Sequence, residues 1–261
     1  MALTSIDGYV AAPKQRLRWF KTGARTTVAA VPFSLFDIAG SPGAGTLAIG
    51  NTANGLVPTD ATAGYPPINT ASAALWLGRV AWGSSVSGWL TVYDRLFACG
   101  AYAFNANTTL ASQPSYSGRV PGADYKGLEI WCEAVTAFTG NPSFQINYLD
   151  QDGNAGDTGV IGSGAALTVG RMFRMPLASG DSGVQQITQV RGTVATVGTF
   201  NVMVLRELWS GRVGIANSGD VHDILRTGGP QVYDTSALYV VLEADSTASG
   251  LPDITLELAD A

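Results

Sequence analysis

The sequence predicts an all-β protein, an antiparallel β-sandwich of jelly-roll-like type behind an irregular N-terminal arm. Three observations carry that prediction. From about residue 71 apolar and polar residues alternate with a period of two. The alternating runs are short, rich in β-branched and aromatic residues, and punctuated by Gly, Asn, Asp, Ser and Pro. Charged residues make up only 13% of the chain and glycine contributes 32 positions, a composition of turns and strands rather than of long charged helices.

Residues 1–70 form the expected arm. They contain Pro13, Pro32, Pro42, Pro58, Pro66 and Pro67, with GSPGAGT and NTANGLVPTDATAGYPPINT between short apolar pieces. Proline fixes φ and gives up a hydrogen-bond donor, while glycine opens positive φ, so this text reads as arm and loop. A short helix or strand is expected only around IDGYVAA or VPFSLFDIAG. Residues 71–261 are the expected sandwich domain. Its strands are read in LWLGRVAW, WLTVYDRLF, GLEIWCEAV, SFQINYLD, ALTVGRMFRM, VQQITQVRGTVAT, TFNVMVLRELW, ALYVVLEA and ITLELA. No stretch there holds a 3.6 period.

At 261 residues the chain has room for one large all-β domain or two smaller ones. No apolar run approaches the roughly 18–20 residues that span a bilayer, and the basic residues near the start follow a mixed stretch instead of preceding an apolar one. The expectation is a protein made in the cytosol without a secretion signal, with no membrane partner. Cys99 and Cys132 both lie in strand-like runs. The sequence leaves a bridge between them open, and without a secretion signal two buried thiols are the favoured reading.

Charge is unevenly placed. The net charge is −5, yet residues 1–36 carry +4, from Lys14, Arg16, Arg18, Lys21 and Arg25 against Asp7, leaving −9 for the rest. Five cations with no further basic patch make a poor phosphate track, so nucleic acid is not the expected partner. An acidic protein surface fits better. Arg16, Arg18, Trp19, Phe20, Lys21 and Arg25 are therefore the candidate interface, because cationic and aromatic side chains side by side make good anchors.

Motifs that suggest catalysis do not hold together. NYLDQDGNAGDTG spaces Asp150, Asp152 and Asn154 like a calcium loop, but Ala155 stands where that loop needs glycine and Ile161 where it needs a bidentate Glu. Asp152-Gly153 reads instead as a hairpin turn. SGDSG around Ser182 resembles a serine-nucleophile motif, yet His222 is the one histidine and follows the serine in the chain, and Val184 replaces the usual second glycine. His222 between Asp220 and Asp223 is too small a set for catalytic zinc. GSPGAGT lacks the Lys-Ser/Thr of a phosphate-binding loop. Glu129 and Glu133 share strand parity and read as a wet face. No cofactor is expected. Trp76, Trp82, Trp89 and Trp131 are read as core first and as a sugar platform second.

SGWLTVYDRLFACG and GLEIWCEAVTAFTGNPSFQINYLDQDGNAGDTG carry a resemblance. The chain resembles structural proteins of tailed bacteriophages found on the capsid surface, in which a Leu-Tyr-Asp-Arg-Leu strand precedes a Trp-containing strand. A Tyr strand then ends in an Asn/Asp-Gln-x-Gly-x-x-Gly turn. The matching residues are Leu90 to Leu96, Trp131, and Tyr148 to Gly156, with RWFKTG (18–23) and AGSPGAG (39–45) fitting the same pattern. The last 90 or so residues match only in style, and the shared motifs are structural. The resemblance implies a non-enzymatic virion protein that decorates or cements the head, bound to the major capsid protein as a homotrimer. It implies no active site. The alternative is a carbohydrate- or receptor-binding β-sandwich module of a phage fibre or tail.

Overall fold

A computed structural model describes residues 5–164, 166–192, 194 and 197–261. The chain is an all-β antiparallel sandwich protein, and each long alternating run of the sequence becomes a strand. The principal ones are β1 (Lys14–Lys21), β2 (Leu75–Ser84), β3 (Gly88–Ala103), β4 (Leu128–Thr136), β5 (Ser143–Asp150), β6 (Met172–Met175), β7 (Val184–Gly192), β8 (Thr199–Val213), β9 (Leu238–Ala244) and β10 (Pro252–Asp260). Two runs are shorter than the sequence pattern. Residues 166–171 of ALTVGRMFRM stay outside β6, and β7 ends at Gly192, with Thr193, Ala195 and Thr196 outside the described residues.

Two compact units divide the chain discontinuously. The first comprises Met1–Thr46, Thr59–Asp94 and Glu207–Ala261; the second comprises Leu47–Pro58 and Arg95–Arg206. The units part after Thr46, Pro58, Asp94 and Arg206. β3 and β8 each give one part of their length to each unit. Long continuous strands carry no turn signal at Asp94 or Arg206, so nothing local marks the crossing.

In the first unit one sheet has the order Ser218–His222, β2, β10, β1, Gly40–Ser41. Its inner face packs on the first part of β3, on β9 and on the last part of β8. Leu17, Trp19, Leu77, Val80, Ile254, Leu256 and Leu258 from the sheet share one core with Leu90, Val92, Leu208, Trp209, Val240 and Leu242. In the second unit the sheet runs Ala155–Asp157, β5, β7, Asn107–Thr109. Its core is aromatic, with Phe200 stacked on Phe104 at 4.8 Å and tilted against Phe144 at 4.3 Å. Cys99 and Cys132 are buried in this unit as free thiols.

Residues 14–21 depart from the expected arm. They form β1, paired antiparallel with β10 along nearly its whole length, with Leu17 and Trp19 buried. Burying two such side chains contributes several kcal/mol, at about 1.5–3 kcal/mol each, while Arg16 and Arg18 stay solvated on the opposite side of the strand. Much of the remaining N-terminal region is loop, as the prolines imply. Of the short helix or strand expected around IDGYVAA or VPFSLFDIAG, the first is a helix, Ile6–Ala11, N-capped by the Ser5 hydroxyl, which accepts from the Gly8 backbone N–H.

Candidate functional site: the outer face of the first sheet

Strand alternation sends Leu17 and Trp19 inward, so Arg16, Arg18 and Phe20 point outward from the same strand. The Arg16 and Arg18 side chains are 70% and 61% exposed, and Phe20 is 50% exposed. The Arg18 guanidinium lies over the Phe20 ring, 5.2 Å from its centroid. Cross-strand register continues the face. Arg16, Arg18 and Phe20 lie opposite Glu257, Thr255 and Asp253 of β10, which lie opposite Arg79, Ala81 and Gly83 of β2. Val221 and Gly219 of the edge strand then lie opposite Ala81 and Gly83.

Side-chain size along these rows shapes a groove. Ala81, Gly83, Gly219 and Thr255 contribute short side chains between the Arg18–Asp253 pair and the Asp220–Val221 lip, enclosing about 670 Å³ of open space. Arg18 Nη2 is 2.7 Å from Asp253 Oδ2, and Arg16 Nε is 3.1 Å from Glu257 Oε2. Solvent screens the exposed Arg18–Asp253 pair, and the Arg16–Glu257 pair is covered only on the Glu257 side. Their effect is to orient the guanidinium groups, leaving the remaining N–H donors free to face a partner.

The N-terminal helix closes one end of the face. Tyr9 sits against Gly78 so closely that a Cβ there would meet the Tyr9 ring at 2.0 Å, which explains a glycine inside β2. The Tyr9 hydroxyl donates to Glu257 Oε1 at 2.6 Å. Burial alone would raise the Glu257 carboxyl, but hydrogen bonds from Tyr9 and Arg16 outweigh it and hold that group below the usual carboxylate range. Burial, and the same bond seen from the other side, push the Tyr9 phenol well up. Lys14 Nζ donates to the Tyr9, Val10 and Ala12 carbonyls, capping the helix C-terminus.

Of the six residues expected at an interface, Arg16, Arg18 and Phe20 lie together on this face and the others do not. Trp19 is 2% exposed and belongs to the core. Lys21 is buried, its Nζ donating to the Pro42 carbonyl at 2.7 Å. Burial pulls its pKa down to about 8, partly opposed by Asp37. Arg25 is paired with Asp37 at 2.6 Å and mostly covered. Sequence reasoning missed Asp253, Thr255 and Val221. The alternation in DITLEL marks Asp253 and Thr255 as one outward face, but which strands flank it is set by pairings far apart in the chain.

The other motifs take structural roles. Asp150 Oδ1 accepts from the Asp152 and Asn154 backbone N–H groups, both at 2.8 Å, and Gly153 has φ +84°, so the carboxylate holds its own turn. Ser182 donates its backbone N–H to Gln151 Oε1 in a loop of the second unit. His222, in the first unit, accepts from Trp209 Nε1 at its Nδ1 at 2.9 Å, with Asp220 3.5 Å from its Nε2. Glu133 is fully buried; Glu129 accepts from Trp131 Nε1 and pairs with Arg174 at 3.0 Å. Trp82 and Trp131 are buried, Trp76 is half-buried with its Nε1 donating to the Ala261 carbonyl, and Trp89 is 49% exposed. No family model, curated protein or solved structure matches the chain.

Proposed function

We propose that the chain is a non-enzymatic structural protein of a tailed-phage virion, a decoration or cement protein that binds the outer surface of the major capsid protein and stabilises the head. A homotrimer is the expected assembly. One observation carries the reading. Arg16, Arg18 and Phe20 stand in a row on a strand whose other side is locked into a hydrophobic core, beside a shallow groove. Cation and aromatic anchors held rigid lose little conformational entropy on docking, and a broad open face suits a protein surface better than a small molecule. The two arginines call for acidic groups opposite them.

The motif resemblance in Leu90 to Leu96 and Tyr148 to Gly156 supports the same reading independently of the face. Light scattering on the purified chain and sedimentation with undecorated heads test it together. The reading expects a particle near three times 27.1 kDa that pellets with heads. A monomer that stays in the supernatant at all salt concentrations would contradict it.

A further inference from the structure

The opposite layer of the first unit carries a second exposed feature that the docking face does not use. Trp89 is exposed among the described residues while Trp19, Trp82, Trp131 and Trp209 are buried. It follows Gly88 near the start of β3, and its neighbour Leu90 points into the core, so the indole stands outward from the sheet. Exposing that much indole on a rigid strand forgoes a large burial gain.

Its surroundings are polar on each side. Glu243 of β9 is directly opposite Trp89 in the ladder. Thr91, two residues along the same face, has its hydroxyl 3.0 Å from the Ser210 hydroxyl of β8. Arg212, two residues beyond Ser210 on that strand, holds Asp245 at 3.0 Å, with the arginine about half exposed and the aspartate about a third. A flat aromatic surface is thus bordered by a carboxylate, an ion pair with spare donors and acceptors, and a hydroxyl pair.

We infer that Trp89, Glu243 and the Arg212–Asp245 pair form a saccharide subsite that stacks one pyranose ring on the indole and hydrogen-bonds its equatorial hydroxyls. A pyranose presents an apolar C–H face and a rim of hydroxyls, each both donor and acceptor. An indole bordered by a carboxylate and an ion pair matches that pattern, whereas an apolar protein knob would cover their remaining donors and acceptors without partners. A single stacking platform with an open rim binds weakly, at a Kd of roughly 0.1–10 mM. On a multivalent particle such affinity becomes avidity for a polysaccharide-coated surface.

Iodide quenching of tryptophan fluorescence reads the subsite once the share that Trp89→Ala removes is subtracted, because Trp89 is exposed, Trp76 half-buried and the other four indoles buried. The full-length protein is titrated with maltotetraose, cellotetraose and chitotetraose. The inference expects at least one to protect Trp89 from iodide. Trp89→Ala should lose calorimetric binding by at least about tenfold and Trp89→Phe should retain part of it. Glu243→Gln should weaken binding with an unchanged melting temperature. Failure of all three sugars at about 20 mM, or binding untouched by Trp89→Ala, overturns it. Quenching that is absent in the free protein and appears on dilution also overturns it, since a second copy would then cover the indole.

Discussion

Lys21 is the residue whose ionisation most directly opposes its surroundings. Its pKa falls from an ordinary 10.5 to about 8 in the folded chain because burial disfavours the ammonium. Between those values the unfolded chain binds more protons, so Lys21's contribution to stability rises with pH across that window. The thiols act the other way. Burial raises Cys99 to about 12 and raises Cys132 as well, so the unfolded chain loses their protons first and stability falls above about pH 9. The difference between the parent and Lys21→Met separates the two effects. In urea unfolding the parent should gain on the variant by on the order of 1–3 kcal/mol between about pH 7.5 and 10.5. A pH-independent difference would mean that the ammonium is hydrated in the fold. The same burial predicts that Cys99 and Cys132 react with Ellman's reagent only as fast as the chain unfolds. Rapid labelling of native protein would contradict their packing.

At the scale of elements, the N-terminal segment divides between an attachment and a structural strand. The helix Ile6–Ala11 buries no residue of its own and is held chiefly by Tyr9 over Gly78 and on Glu257. Removing residues up to Ala12 should lower the melting temperature by only a few degrees, reflecting the loss of about 1–3 kcal/mol from one charge-assisted hydrogen bond and its packing. Removing residues through Lys21 deletes β1 and uncovers β10, and should abolish cooperative unfolding of the first unit. Equal effects of the two deletions would contradict the pairing of β1 with β10. The sequence did contain the strand signal, since Arg16, Leu17, Arg18 and Trp19 alternate. Neighbouring prolines and the density of positive charge favoured an arm instead, and Lys21 puts a cation at the inward position that follows Leu17 and Trp19. β5 shows the opposite case. Phe144, Ile146 and Tyr148 alternate with Gln145 and Asn147, and burial follows that pattern residue by residue.

For the whole molecule, the fold class and nearly every strand follow from local periodicity, because each strand's inward face must be apolar wherever its partner lies. The division into two discontinuous units does not follow, because β3 and β8 contribute to both without a break in pattern. The outer face of the first sheet is intermediate. Arg16, Arg18 and Phe20 were legible as alternating outward residues, while the groove beside them arises only when β10, β2 and Ser218–His222 line up in register. The proposed function requires this face to bind an acidic protein surface. The most direct test is co-sedimentation of the parent and the Arg16→Gln/Arg18→Gln/Phe20→Ser variant with undecorated phage heads across a salt series. The account predicts that the parent binds and weakens with salt, and that the variant, folded by circular dichroism, binds at least about tenfold more weakly. Equal binding of the two proteins, or salt-independent binding of the parent, would contradict it.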